Sequence, residues 1–234
     1  MKGEVVLYPL WLRIWHWTNA LLFVVLLITG LSMHYSTPGY PLAGYRASVL
    51  SHNVAGILLT AGYVVFLVGN YRTGNGRFYR LSLDDVTWGA LRQVRYYLLG
   101  MFLGEPHPFP HSAERKFNPL QKLSYLAVMF ALVPLIIVAG WALLFPEFLP
   151  RNLFGLPGIA LWAIVHTYLG YFASVFMIIH TYLGTTGETP GELFRCMLRG
   201  QTIPRDALMP AEGPQRPPVS PAAQVSRSDA SDQL

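Results

Sequence analysis

The chain has 234 residues, of which 53% are apolar and 12% charged, whereas a water-soluble domain is usually about one-quarter charged. Its length suits one compact domain, and its single cysteine excludes a disulfide framework, a cysteine-held iron–sulfur or zinc site and thioether-linked haem. Neither common glycine-rich phosphate loop occurs, and the meaning of the net charge of +5 depends on where that charge sits.

Four intervals lack Lys, Arg, Asp and Glu altogether: those between Arg13 and Arg46, Arg46 and Arg72, Lys122 and Glu147, and Arg151 and Glu188. Each holds an apolar run long enough to cross a bilayer, for which about 20 helical residues suffice. The predicted spans are 14–33, 50–69, 123–144 and 160–183. Helices of a soluble bundle would show a polar face, and these do not. The first span is too long for a secretory h-region and lacks an A-x-A site, so it reads as a retained helix.

Basic residues orient the bundle. Fifteen of the 17 fall before the first span, between the second and third, or after the fourth, leaving only Arg46 and Arg151 in the other two loops. That asymmetry predicts a multi-pass membrane protein with both termini cytoplasmic. The positive charge is thus a topology signal, and no nucleic-acid partner is expected.

Residues 82–100 mix Leu, Val, Trp and Tyr with Arg and Asp at helical spacing, with Asp84 and Asp85 near the start and Arg92 and Arg95 near the end. This is the pattern of an amphipathic helix on the cytoplasmic membrane surface. Residues 1–200 form the membrane domain. The Pro-, Ser- and Gln-rich stretch 201–234 reads as a disordered cytoplasmic tail.

Four of the seven histidines, His16, His52, His166 and His180, sit inside the predicted spans, where an ionisable side chain is a functional candidate. Span direction puts His16 and His180 near the inner face, and His52 and His166 near the outer. His166 and His180 are 14 residues apart, which leaves them on one helix face to within about 40° and roughly 21 Å apart along the axis. Two imidazoles at each of two depths is what two b-type haems require. The residues one turn after each histidine are small (Ala20, Gly56, Gly170 and Gly184), which would let a flat macrocycle lie against the helix. A proton relay would usually add Asp or Glu, and the spans hold none; a metal transporter and histidines without a cofactor are the other readings. The expected architecture is an all-α membrane protein, a four-helix bundle enclosing two haem b groups.

The same residues resemble a known family. YPLWLRIWHWTNALL, SHNVAGILLT and HTYLGYFASVFMIIHTYLGTTGETP are similar to the haem helices of the di-haem cytochrome b subunits that anchor prokaryotic thiosulfate reductases, nickel–iron hydrogenases and formate dehydrogenases. GEPHPF followed by KFNPLQKLSYL is most similar to the thiosulfate reductase branch. The resemblance covers about residues 7–200. It implies that His16 and His180 ligate the cytoplasmic-side haem, and His52 and His166 the outer one. It also implies a quinone site in the segment from Lys116 to Lys122, with Asn118, Gln121 and Lys122 as candidates. Asn118-Pro119 with Gln121 is equally the signature of a helix start.

Arg13, among Trp11, Trp15 and Trp17, suits the interface or a haem propionate. His34, His107, His111 and Cys196 read as bystanders. The family further implies electron transfer between the quinone pool and an iron–sulfur, molybdopterin or multihaem subunit on the outer side. A self-contained superoxide or ferric reductase and a non-redox anchor are the alternatives.

Overall fold

The computed structural model describes residues 4–6, 8–35, 44–79, 82–83, 85–106, 108–109, 117–185, 191–200 and 202–204. After a short strand, β1 (Glu4–Val6), come two long helices, α1 (Leu10–Tyr35) and α2 (Tyr45–Thr73). A 3₁₀ turn (Asn75–Tyr79) leads to a short helix, α3 (Ala90–Arg95), flanked by π-helical turns Asp85–Gly89 and Tyr96–Gly100. The third long helix is built from α4 (Pro119–Ala127), a π turn (Val128–Leu132) and α5 (Val133–Leu144). A 3₁₀ turn (Pro146–Phe148) and a tight hairpin, β2 (Asn152–Leu153) with β3 (Leu156–Pro157), precede α6 (Gly158–Leu183). Helix α7 (Glu192–Arg199) and strand β4 (Thr202–Pro204) complete the described chain.

Among the described residues four helices, Leu10–Tyr35, Tyr45–Thr73, Pro119–Leu144 and Gly158–Leu183, are long and apolar enough to span a membrane. At 26 to 29 residues each they measure about 39–44 Å, against a hydrocarbon core of about 30 Å. They outrun the expected spans at most ends, because hydropathy marks the apolar stretch while backbone hydrogen bonding carries the helix on through interfacial Trp, Tyr and Arg. The π turn has a local cause. Pro134 cannot donate to Phe130 and its ring crowds that carbonyl, and the helix relaxes one turn earlier, where Val133 N–H reaches Val128 O.

The bundle is packed in sequence order, α1 on α2, α2 on α5 and α5 on α6. Its buried positions are mostly small or polar (Thr29, Ser32, Ser48, Ala55, Ala139, Ala173), while Leu21, Leu58, Leu135 and Ile178 are exposed. That is the inverse of a soluble protein and fits helices whose outer surface meets lipid, where small residues allow close approach. Ser48 donates to Ser32 at 3.2 Å, and Trp15 Nε1 to the Gly62 carbonyl at 2.7 Å, pinning α1 to α2 at two heights.

At the end of the bundle where α1 begins, Phe66, Tyr79 and Phe117 form a buried aromatic cluster with Trp15, Tyr63, Tyr125 and Met129 around it. Asn118 caps α4: its side chain accepts from Gln121 N–H at 2.8 Å, and the Gln121 side chain accepts from Asn118 N–H at 3.0 Å. At the same end β1 pairs antiparallel with β4. Residues 202–204 therefore depart from the disordered tail expected from 201, because their strand partner lies at the opposite end of the chain. Residues 205–234 lie outside the described residues.

Candidate functional site

The four intramembrane histidines meet in two pairs. His16 on α1 faces His180 on α6 with ring centroids 6.0 Å apart and planes at 50°; we term this the proximal pair, since α1 begins and α6 ends there. His52 on α2 faces His166 on α6 with centroids 6.1 Å apart and planes at 74°, forming the distal pair. One helix thus supplies a ring to each level.

The spacing can be tested against the chemistry. An imidazole nitrogen lies about 1.1 Å from its ring centre, and a transition-metal–imidazole bond is roughly 2.0–2.1 Å. Two rings clamping one ion from opposite sides then have centroids about 6.3 Å apart, close to both observed values. Among the described residues no group of three or more His, Cys, Asp or Glu converges on a point. A bare ion would therefore find two protein donors at either level, whereas a porphyrin brings four nitrogens of its own. The donor set fits a haem with two axial histidines.

The distal rings are fixed by their neighbours. The Thr29 hydroxyl donates its one proton to Val25 O at 2.6 Å, so its oxygen accepts from His52 Nδ1–H at 3.0 Å. That bond sets the tautomer and leaves the Nε2 lone pair free for a metal. Gly30 and Gly140 lie beside the rings: a Cβ at Gly30 would make ordinary contact 3.4 Å from His52 Cε1, and one at Gly140 would be slightly tight, 3.3 Å from His166 Cε1. At the proximal level Trp17 stands edge-on to His16 at 5.3 Å and Phe176 stacks on His180 at 5.6 Å. His16 Nδ1 is buried without a hydrogen-bond partner.

Of the small residues expected beside the macrocycles, Gly56 and Gly170 border open space. Gly184 does not: a Cβ there would meet the Phe194 ring at 3.1 Å, so its smallness also serves the packing of α7. The residues that do stand beside the distal rings, Thr29, Gly30 and Gly140, lie on neighbouring helices. Their trace in the sequence is a pair of small residues, Thr29-Gly30 and Ala139-Gly140, inside runs of large apolar ones.

Arg13 is tied to the end of α7. Its Nη1 donates to Leu198 O at 2.8 Å, and Trp17 Nε1 donates to Met197 O at 3.3 Å, capping two carbonyls that the helix leaves without partners. The quinone candidates sit together at the start of α4, where Asn118 and Gln121 form the cap described above. Asn118 Nδ2 also donates to Tyr97 OH at 3.3 Å, and Lys122 Nζ donates to Asp85 at 2.8 Å. Lys116 and the bystanders His107 and His111 lie outside the described residues, as does Asp84. Asp85 faces α4 rather than solvent. Burial pushes its carboxyl up, but hydrogen bonds from Lys122 and Ser82, with the ammonium charge, outweigh this and hold it below the usual carboxylate range. His34, at the far end of α1, packs edge-on against Tyr171, whose hydroxyl meets that of Tyr35 at 2.6 Å.

Residues 7–200 match the family model described as prokaryotic cytochrome b561. The protein named "Putative cytochrome YdhU" of Escherichia coli strain K12 is 39% identical over 198 residues, covering 84% of this chain and 74% of that one. The protein named "Putative protein-methionine-sulfoxide reductase subunit YedZ1" of Azospira oryzae is 26% identical over 150 residues, covering 59% and 69%. With four membrane-length helices and paired intramembrane histidines already established, the chain belongs to the prokaryotic cytochrome b561 family and is a membrane b-type cytochrome of electron transfer.

Proposed function

We propose that this chain is a di-haem subunit that carries electrons between membrane quinone and a partner oxidoreductase. The observation that supports it most is the recurrence of one geometry at two heights, two imidazoles with centroids about 6 Å apart. His16 and His180 would hold one haem, and His52 and His166 the other. Haem held by two histidines supplies reversible one-electron chemistry without an open position for oxygen. The protein's own part is to keep each Nε2 unprotonated and aimed inward, as the Thr29–His52 bond does, and to exclude water with the bundle's apolar wall.

Several further points of the reading rest on sequence. The fifteen-to-two division of basic residues puts the proximal pair on the cytoplasmic side of a bacterial inner membrane. Asn118, Gln121 and Lys122, at that end, are the candidates for quinone contact. Asn118 is engaged in the cap and Lys122 in the Asp85 pair, so Gln121, whose carboxamide NH₂ can still donate, is the residue best placed to meet a quinone carbonyl. The motif resemblance to the thiosulfate reductase branch, together with a relative named as a reductase subunit, supports an iron–sulfur, molybdopterin or multihaem partner at the distal end.

The purified chain tests this directly. A pyridine haemochrome assay is expected to give two haem b per polypeptide, with both reduced by a short-chain quinol. One haem or none per chain would overturn the di-haem reading. Full reduction by dithionite with none by any quinol would remove the quinone link.

A further inference from the structure

Among the described residues of 82–105, two polar side chains are buried against protein while most of the large apolar ones are exposed. The face packed on α4 carries Asp85 and Gln93, exposed by only 4% and 0%, together with Gly89, Ala90 and Gly100. Asp85 pairs there with Lys122, and Gln93 and Asn118 both bond Tyr97. The opposite face presents Trp88, Leu91, Leu98, Leu99, Phe102 and Leu103, Trp88 with 70% of its surface free. Where an amphipathic helix is expected over 82–100, the short helix and its flanking π turns set Asp85 and Gln93 against α4. Facing water, such an element would expose a contiguous apolar patch far beyond what a soluble surface carries.

We infer that this outer face is immersed in the acyl region of the lipid leaflet at the proximal end of the bundle. Three observations choose lipid over a protein partner. The helix that the segment packs on is itself a membrane-length helix with Leu123 and Phe130 exposed. Arg95, which projects from the same side, is matched by Glu105 through two bonds of 2.9 and 2.7 Å, so it presents a neutralised pair rather than a free charge. Arg92 and Arg77, both exposed, carry long stems that can snorkel to anionic headgroups. The inward polar face follows from the same solvent: in lipid, Asp85, Gln93 and Asn118 must find their partners within the protein. The segment is then a lid of the bundle set into the membrane, and the Asp85–Lys122 pair beneath it is sealed from bulk water.

Site-directed spin labelling of the full chain in phosphatidylcholine–phosphatidylglycerol vesicles tests this. Single cysteines at Leu91, Leu98 and Phe102, in a Cys196→Ser background, leave the packed face untouched. Leu135→Cys, in the middle of an accepted span, gives the lipid reference. Labels at the three positions should be relaxed several-fold more by oxygen than by a water-soluble nickel chelate, as the reference is. Preferential relaxation by the nickel chelate would put the face in water and overturn the inference. Protection from both reagents would show a second protein covering it, and would overturn it equally. Because the readout needs no haem or quinone, it stands apart from the functional proposal above.

Discussion

At the distal level glycine stands beside the histidine rings, Gly30 beside His52 and Gly140 beside His166, and Thr29 bonds His52. At the proximal level aromatic rings stand beside the histidines instead, Trp17 beside His16 and Phe176 on His180; one Nδ1 is buried without a partner at each level, that of His16 and that of His166. The neighbours differ accordingly, glycine at one height and aromatic rings at the other. Two sites with the same ligands thus have different surroundings, and among the described residues only His52 of the four rings bonds a side-chain hydroxyl. Ligand hydrogen bonding and burial are the main means by which a protein sets a haem potential, so the two levels should differ in potential and in their response to mutation.

On the di-haem reading, the strongest way to break the comparison is to remove a ligand. His52→Ala or His166→Ala should halve the haem content and spare the proximal absorption band, and His16→Ala should do the reverse; identical spectra from both would show that the pairs are not separate sites. Next comes Gly140→Leu, which forces a side chain into the His166 ring. Overpacking of this kind costs about 1–3 kcal/mol and should lower distal haem occupancy without touching the proximal level, as read by the haem-to-protein ratio. Phe176→Leu removes a stacked ring worth roughly 0.5–1.5 kcal/mol and should broaden or shift only the proximal signal.

Thr29→Val is milder, about 1 kcal/mol for one hydrogen bond, and should move the distal midpoint potential alone in a redox titration. The smallest effect lies outside both levels. Asp85 is held below its unfolded value by Lys122 and Ser82 against the opposing effect of burial, so its contribution is intact at neutral pH and is lost as pH falls below the ordinary carboxylate range through its depressed folded value. Proteolysis within 82–105 should therefore quicken in acid, a change that Asp85→Asn should abolish while both haem signals persist.

Much of the architecture was legible because hydrocarbon is an unforgiving solvent. Every run of about 20 residues without a charge became a long helix, and four ionisable residues inside those runs could be assigned depths by counting along the chain. The 14-residue spacing of His166 and His180 placed them on one face from helix geometry alone. The start of α4 was equally readable, since Asn118, Pro119 and Gln121 make a cap from local bonds.

What the chain order cannot contain is which side chain stands opposite which. Gly30 and Gly140 stand beside rings 22 and 26 residues away, from other helices, and Gly184 turned out to serve Phe194 for the same reason. The Asp85–Lys122 pair and the inverted face of the 85–100 segment likewise arise only when α4 arrives. Composition and periodicity settle which segments form long apolar helices and how the histidines are spaced along them, because these depend on solvent and on backbone hydrogen bonds within one segment. Ring buttressing, tautomer control and the choice of inward face depend on contacts between segments far apart in sequence, and only packing decides them.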